Sequence, residues 1–179
     1  QHVCTSLQGV AIHINAFNFP VWGMLEKLAP ALLAGVPAIV KPATATCYVT
    51  ELCARIIIES EILPKGSLQL VSGSMGDMLS RLTSQDVVSF TGSASTALHL
   101  RSQSHLIENS IRFIAEQDSL NASILGPDAA PGSPEFELFA KEVKREMTTK
   151  AGQKCTAIRR IFVPEAHLDT MIDALKASL

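Results

Sequence analysis

Cys155 lies in the segment Ala151-Gly152-Gln153-Lys154-Cys155-Thr156-Ala157, directly after a polar, helix-like run over residues 136–150. Small and polar neighbours are not typical of a packed core cysteine, and a preceding lysine would favour the thiolate form. A thiolate in such a position can attack a carbonyl carbon and form a covalent intermediate. The sequence therefore predicts covalent chemistry at Cys155.

Two other residues have side chains that could assist such chemistry. Glu116 follows the apolar run 111–115, and a carboxylate at a strand end can serve as a general base, although an exposed charge fits the local pattern better. Asn18 lies in Phe17-Asn18-Phe19-Pro20. Its amide could donate a hydrogen bond to an oxyanion, and the alternative is a helix N-cap ahead of the proline.

Lys41, Gly92 and Ser93 are candidates for binding an anionic ligand. Lys41 follows the apolar strand 38–40 and would point into the crevice at the strand end, unless it is an ordinary solvated terminus. The turn at Gly92 and Ser93 separates a strand from a helix, whose first N–H groups favour a phosphate. A plain connecting turn fits as well, because the full G-x-G-x-x-G fingerprint is absent.

Apolar strands alternate with amphipathic helices along the chain. This pattern predicts an α/β fold with a doubly wound, Rossmann-like parallel sheet, in which ligands collect at the carboxyl ends of the strands. The predicted strands cover residues 10–14, 38–40, 68–71, 87–90, 111–115 and 122–125. The predicted helices cover 22–33, 46–61, 77–82, a segment after Gly92, 136–150 and 167–179, and the stretch 127–134 is the best candidate for a linker.

Composition restricts the possible partners and surroundings. The 179 residues are 47% hydrophobic with a net charge of −2, which gives no footprint for nucleic acid or an acidic membrane surface. The longest apolar runs fall short of the ~20 residues of a membrane helix. Four cysteines match no zinc or disulfide pattern, so we expect no metal and a reduced, cytoplasmic setting. With no initiator methionine, we expect a segment of a longer protein.

Four ordered motifs carry a resemblance to a known family: FNFP at 17–20, KPA at 41–43, SFTGS at 89–93 and AGQKCTA at 151–157. The chain resembles the NAD(P)-dependent aldehyde dehydrogenase superfamily from about Gly9 to its end. Longer stretches such as HINAFNFP and REMTTKAGQKCTAIRR are similar to the CoA-linked semialdehyde dehydrogenases of phenylacetate and benzoate degradation.

The resemblance implies a role for each candidate catalytic residue. Cys155 would be the nucleophile, Asn18 and the Cys155 backbone N–H would form the oxyanion hole, and Glu116 would activate the hydrolytic water. Residues 1–118 would be part of the cofactor-binding domain and 119–179 the beginning of the catalytic domain. The parent protein would be a homo-oligomer. The family's Glu-Leu-Gly-Gly-Lys reads here as Glu-Gln-Asp-Ser-Leu from Glu116 onward, so the glycine turn is missing.

The resemblance also predicts the cofactor site. Lys41 would bind the adenosine ribose or its phosphate, and Gly92 and Ser93 would contact the pyrophosphate, although Ala97 replaces a glycine that usually ends this turn. Many members that prefer NAD have a glutamate where this chain has Thr44. Because Thr44 would not repel a 2′-phosphate, we expect NADP, with NAD as the alternative.

Together these features predict oxidation of an aldehyde, such as a CoA-linked semialdehyde, to its acid through a cysteine thiohemiacetal and thioester. One alternative is a CoA-acylating dehydrogenase, in which CoA resolves the thioester. Another is a non-catalytic nucleotide-binding fragment. The chain contains no Glu-x-Phe-Gly-Pro segment, which in the family binds the nicotinamide ribose, so we expect the isolated 179-residue chain to be inactive.

Overall fold

The computed structural model describes all 179 residues and divides the chain into two compact units, Gln1–Gln117 and Asp118–Leu179. The strands of the first unit are β1 (Ala11–Ile14), β2 (Ala38–Lys41), β3 (Leu68–Leu70), β4 (Val87–Gly92) and β5 (Arg112–Gln117). They form one five-stranded parallel sheet in the order β3-β2-β1-β4-β5. The helices are α1 (Trp22–Leu33), α2 (Cys47–Glu59), α3 (Ala94–Arg101) and α4 (Ser104–Glu108).

Helices cover both faces of this sheet, as the doubly wound prediction requires. All four residues of the central strand β1 are buried, because alternate side chains enter opposite cores. On one face Ala11, Ala38 and Val40 pack with Met24 and Leu28 of α1. On the other face Ile12, Ile14, Val88 and Phe90 form a core with residues of α3, α4 and the 3-10 turn Met78–Arg81.

The predicted boundaries of α1 are confirmed, and Gly35 lies two residues after its end. Gly35 has a φ of +78°, which a residue without a Cβ adopts at little cost, and its N–H bonds to the Leu32 carbonyl. Pro30 lies inside the helix and does not end it.

A buried carboxylate fixes the point where the chain enters the sheet. Asp86 accepts hydrogen bonds from the N–H groups of Val10 (2.7 Å) and Thr83 (2.6 Å) and from the Thr83 hydroxyl (3.0 Å). Gly9, with a φ of +94°, passes so close to Gln85 that a side chain there would clash with the Gln85 carbonyl. These contacts hold the start of β1 beside the start of β4, and no sequence motif indicated them.

The second unit contains β6 (Asn121–Ile124), α5 (Pro134–Thr148), β7 (Ile158–Phe162) and α6 (Leu168–Ser178). β6 and β7 pair in parallel, and Leu125, Phe136 and Met171 belong to the core of the unit. The charged pair Arg159–Arg160 lies within β7. The predicted linker stretch 127–134 connects β6 to α5 within this unit.

All four cysteines are free thiols. Every helix in the structure is too short or too polar to cross a lipid bilayer.

His13 is a titratable group buried in the centre of the sheet. It lies on β1 and is 2% exposed, and its Nδ1 has no hydrogen-bond partner. Burial, with a smaller contribution from the positive charge of Lys27, lowers the pKa of His13 from 6.5 to about 4. The folded chain therefore keeps His13 neutral in a pH range where the unfolded chain protonates it.

We expect the free energy of unfolding to fall as the pH decreases from 6.5 toward 4. In this window the unfolded state binds a proton that the folded state refuses, which costs at most about 3 kcal/mol of stability at the lower end. Urea unfolding of wild type and a His13→Asn variant at several pH values measures the effect. The dependence should flatten in the variant and persist in His2→Asn, whose histidine is exposed. An equally steep dependence in His13→Asn would contradict the assignment.

Candidate functional site

An open cleft of about 830 Å³ lies at the carboxyl ends of β1 and β2 in the first unit. Lys41 is the last residue of β2 and pairs in register with Ile14, the last residue of β1. Both residues line the cleft, and Thr44 joins them from the 3-10 turn after β2. The structure therefore brings Lys41 and Thr44 together, at the edge where parallel sheets bind ligands.

Other walls of the cleft come from residues that the sequence analysis missed. They are Gly73, Ser74, Met75, Gly76, Asp77, Leu79, Ser80, Thr96, His99, Leu100 and Gln103. The glycine-rich, polar stretch 73–77 follows the apolar strand β3, and this pattern could have indicated a ligand-binding loop there.

The cleft contains a carboxylate as well as the Lys41 cation. Asp77 lies 2.9 Å from Arg81, and the hydrogen bond from that guanidinium holds the pKa of Asp77 below its usual range. Arg81 pairs with Asp77, and Lys41 is the only lysine or arginine among the residues that line the cleft.

Local contacts explain why glycine and serine occupy positions 92 and 93 of the turn before α3. The Ser93 hydroxyl accepts a hydrogen bond from the Thr96 N–H (3.2 Å) and donates one to the Thr96 hydroxyl (2.9 Å), so Ser93 is the N-cap of α3. A side chain at Gly92 would lie 2.6 Å from the buried Phe90 ring. Thr96, one turn into α3, lines the cleft.

Asn18 lies in the loop between β1 and α1, and threonines from the α2 region fix this loop. The Thr46 hydroxyl donates to the Phe17 carbonyl (3.2 Å), and the Thr50 hydroxyl donates to the Pro20 carbonyl (3.0 Å). Val21 is the N-cap residue of α1, so the alternative interpretation of Asn18 as that cap is wrong. The threonines were missed because they act from another element.

Glu116 lies near the end of β5, at the same edge of the sheet as the cleft. It pairs with Thr91 of β4, and its side chain is exposed. Since Asn15 follows the register pair Ile14–Phe90, it comes level with Thr91 on β1. Asn15, Thr91 and Glu116 thus form one row across three strands.

Cys155 is exposed in the short loop before β7, within the second unit. The loop begins with three consecutive residues in the left-handed region: Lys150 (φ +53°), Ala151 (φ +53°) and Gly152 (φ +70°). The Arg159 guanidinium donates to the Gly152 carbonyl at 2.6 Å. Such a conformation is costly for residues with a Cβ and is found where tertiary contacts enforce it.

Asn121 holds the other side of this loop. Its Nδ2 donates to the carbonyl of Cys155 and, at 3.2 Å, to the carbonyl of Ala157. The backbone of Cys155 is therefore fixed by a side chain from β6. The sequence shows Asn121 directly before a predicted strand, but nothing in the sequence indicates that its side chain bonds to the Cys155 loop.

The positive charge of Lys154 was expected to be free beside Cys155, but it is paired. Its Nζ lies 2.7 Å from the Glu146 carboxylate, and both side chains are largely buried. The hydrogen bond from Lys154 lowers the pKa of Glu146. Lys154 therefore ties the loop to α5, and its charge is already compensated.

A sequence profile of the aldehyde dehydrogenase family matches residues 5–179. The chain is 51% identical to a 3,4-dehydroadipyl-CoA semialdehyde dehydrogenase of Aromatoleum evansii, over all of this chain and 35% of that protein.

Solved structures show the same relationship. A succinate-semialdehyde dehydrogenase from Burkholderia pseudomallei is 28% identical, with a TM-score of 0.82 over 97% of this chain and 35% of that one. A betaine aldehyde dehydrogenase from Staphylococcus aureus in complex with NAD⁺ is 29% identical, with a TM-score of 0.82 over 94% of this chain and 32% of that one. The chain thus spans about a third of the length of these proteins.

The hydroxyl of Thr50 should contribute measurably to stability through the Asn18 loop. Thr50 is fully buried, so Thr50→Val keeps the shape but leaves the Pro20 carbonyl without its donor. We expect a loss of about 1–3 kcal/mol in the free energy of unfolding. Thr50→Ser retains the hydroxyl and serves as the control in the same urea titration. A valine variant as stable as wild type would show that this bond does not hold the loop.

Proposed function

Because the chain belongs to the aldehyde dehydrogenase family, we propose that the protein containing it oxidises an aldehyde to the corresponding acid with a nicotinamide cofactor. The observation that carries this proposal is the exposed Cys155 on a loop fixed by Asn121 and Arg159. The substrate class we propose is a semialdehyde linked to CoA. The support for it is the 51% identity to a CoA-semialdehyde dehydrogenase.

In the proposed reaction the Cys155 thiolate attacks the aldehyde carbon and forms a thiohemiacetal. The carbonyl oxygen becomes an oxyanion, which the Asn18 amide and the Cys155 backbone N–H stabilise by hydrogen bonds. Each such donor contributes roughly 10²–10³ in rate. The fixed Asn18 loop and the fixed Cys155 backbone support these roles, because donors held in place need no reorganisation during the reaction.

A nicotinamide cofactor, when bound, would supply the acceptor for the hydride of the thiohemiacetal carbon, so that a thioester of Cys155 would remain. Glu116 then removes a proton from water, whose oxygen attacks the thioester carbon. The acid leaves as the sulfur of Cys155 is released. The exposed position of the Glu116 carboxylate supports this role, since a general base must reach a water molecule.

The cleft fits the adenosine part of a dinucleotide, and we propose NADP as the cofactor. Lys41 would pair with the ribose or its 2′-phosphate, and Thr44 offers a hydroxyl without a negative charge. The first turn of α3, which Ser93 caps and in which Thr96 lines the cleft, would face the pyrophosphate. The nearby carboxylate of Asp77 is paired with Arg81, so it opposes a 2′-phosphate only weakly.

We also propose that the protein works in the cytoplasm as a homo-oligomer. The four free thiols support a reducing compartment.

Replacing Cys155 by alanine in the whole protein tests the nucleophile. We expect aldehyde-dependent formation of reduced cofactor to fall by at least roughly 10³-fold, because no other side chain would form the covalent intermediate. Cys4→Ala removes another exposed thiol and should leave the rate unchanged. Near-normal turnover by the Cys155 variant would contradict the mechanism. Acyl-CoA instead of free acid as the wild-type product would show that CoA resolves the thioester.

The preference for NADP should depend on the side chain at position 44. In the whole protein, Thr44→Glu places a carboxylate near a 2′-phosphate, and we expect the ratio of kcat/KM for NADP over NAD to fall about 10- to 100-fold. Thr44→Gln has the same size without the charge and should change the ratio much less. A wild type that prefers NAD and does not respond to either substitution would contradict the cofactor proposal.

A further inference from the structure

Asn15, Thr91 and Glu116 lie side by side at the carboxyl edge of the first unit's sheet. Thr91 and Glu116 are register partners on β4 and β5. Asn15 is one residue beyond the register pair Ile14–Phe90, and its N–H bonds to the Lys41 carbonyl (3.0 Å), so it still follows the sheet. Because side chains alternate between faces, all three project to the face covered by α1.

Two members of this row are buried without hydrogen-bond partners. Asn15 is 4% exposed, and neither its Oδ1 nor its Nδ2 is bonded. The Thr91 hydroxyl is also buried and unpaired. An unsatisfied buried polar group is destabilising, so an arrangement that pairs these atoms would be favoured.

We propose that Asn15 is a positioning residue for the reaction: it orders the Thr91 hydroxyl, which in turn donates a hydrogen bond to the Glu116 carboxylate. In the proposed arrangement the Asn15 Nδ2–H would donate to the Thr91 oxygen, and the Thr91 O–H would donate to the Glu116 carboxylate. The role rests on the proposed function, in which Glu116 activates the water that hydrolyses the thioester. Asn15 itself touches neither the substrate nor the water.

The dimensions of the sheet allow this row. Neighbouring strands are about 4.8 Å apart, which asparagine, threonine and glutamate side chains can span with single hydrogen bonds. The exposed Glu116 side chain has the freedom to turn over Thr91. The first turn of α1 limits Asn15 from above, since a Cβ placed at Gly23 would lie 3.7 Å from the Asn15 Cβ. The Asn15 side chain is therefore confined between α1 and the sheet, next to Thr91.

Few charged groups near the row could produce the same pH dependence. His13 lies two residues before Asn15 on the same face of β1, and its pKa of about 4 keeps it neutral at higher pH. Lys27 of α1 lies 3.0 Å from Glu26. Arg112 is the other charged residue of β5 besides Glu116. Glu116 is therefore the carboxylate of this row that the experiment addresses.

The experiment uses the whole protein and measures two steps separately. The pre-steady-state burst of reduced cofactor reports hydride transfer, and the pH profile of the slower phase reports thioester hydrolysis. Asn15→Leu removes the amide at similar size, and Asn15→Ser keeps a smaller polar group. Ser89→Ala is the matched control: Ser89 is half-buried on the same face of β4 but belongs to the row of His13 and Ile114.

We expect Asn15→Leu to slow hydrolysis about tenfold while the burst rate stays within about twofold of wild type. The acid limb of the hydrolysis profile should move up by roughly half to one pH unit, because a carboxylate that loses a donor binds a proton more readily. Asn15→Ser should fall between wild type and leucine, and Ser89→Ala should match wild type.

An unshifted acid limb in both Asn15 variants would overturn the proposal, as would an equal loss of the burst and the hydrolysis rates, which indicates a merely structural role. If Asn15→Leu does not fold, the serine variant decides by the same criterion. Failure of the proposed function looks different: wild type would show no burst with any aldehyde, whereas failure of the row alone leaves the wild-type burst and hydrolysis intact.

Discussion

The position of β1 in the middle of the parallel sheet is the constraint on which the first unit depends. β1 pairs with β2 on one side and β4 on the other, and these pairs fix which residues reach the carboxyl edge together. Shifting the register by one residue would turn every side chain to the other face. Asp86 secures the register at the opposite end, because its carboxylate bonds to the first N–H of the strand region.

The same register places the residues at that edge on two different faces of the sheet. Lys41 and Ile14 face the cleft on the α3 side, whereas Asn15, Thr91 and Glu116 face α1. A flexible loop could not keep such groups apart so consistently, but alternating side chains on paired strands must do so. These two surfaces are the ones for which we propose nucleotide binding and proton transfer, respectively.

In the second unit, backbone hydrogen bonds rather than charges define the surroundings of Cys155. Asn121 and Arg159 bind carbonyl groups of the loop, and Lys154 is paired with Glu146. A loop with three left-handed residues would be unstable alone, and these contacts stabilise it. The conformation of the Cys155 loop is therefore a property of the packed unit, not of the seven-residue motif.

The sequence by itself determined the alternation of strands and helices, the bounds of α1, and the placement of Lys41, Ser93 and Glu116 at strand ends. These follow from local periodicity and turn chemistry, which act over a few residues. The expectation of a free charge at Lys154 was wrong, because Glu146 of α5 pairs with it. The sequence also gave no local signal for the distant partners of Thr50 and Asn121 or for the row of Asn15. Only the tertiary structure decided these points, because strand pairing and hydrogen bonding join residues that lie 30 or more positions apart.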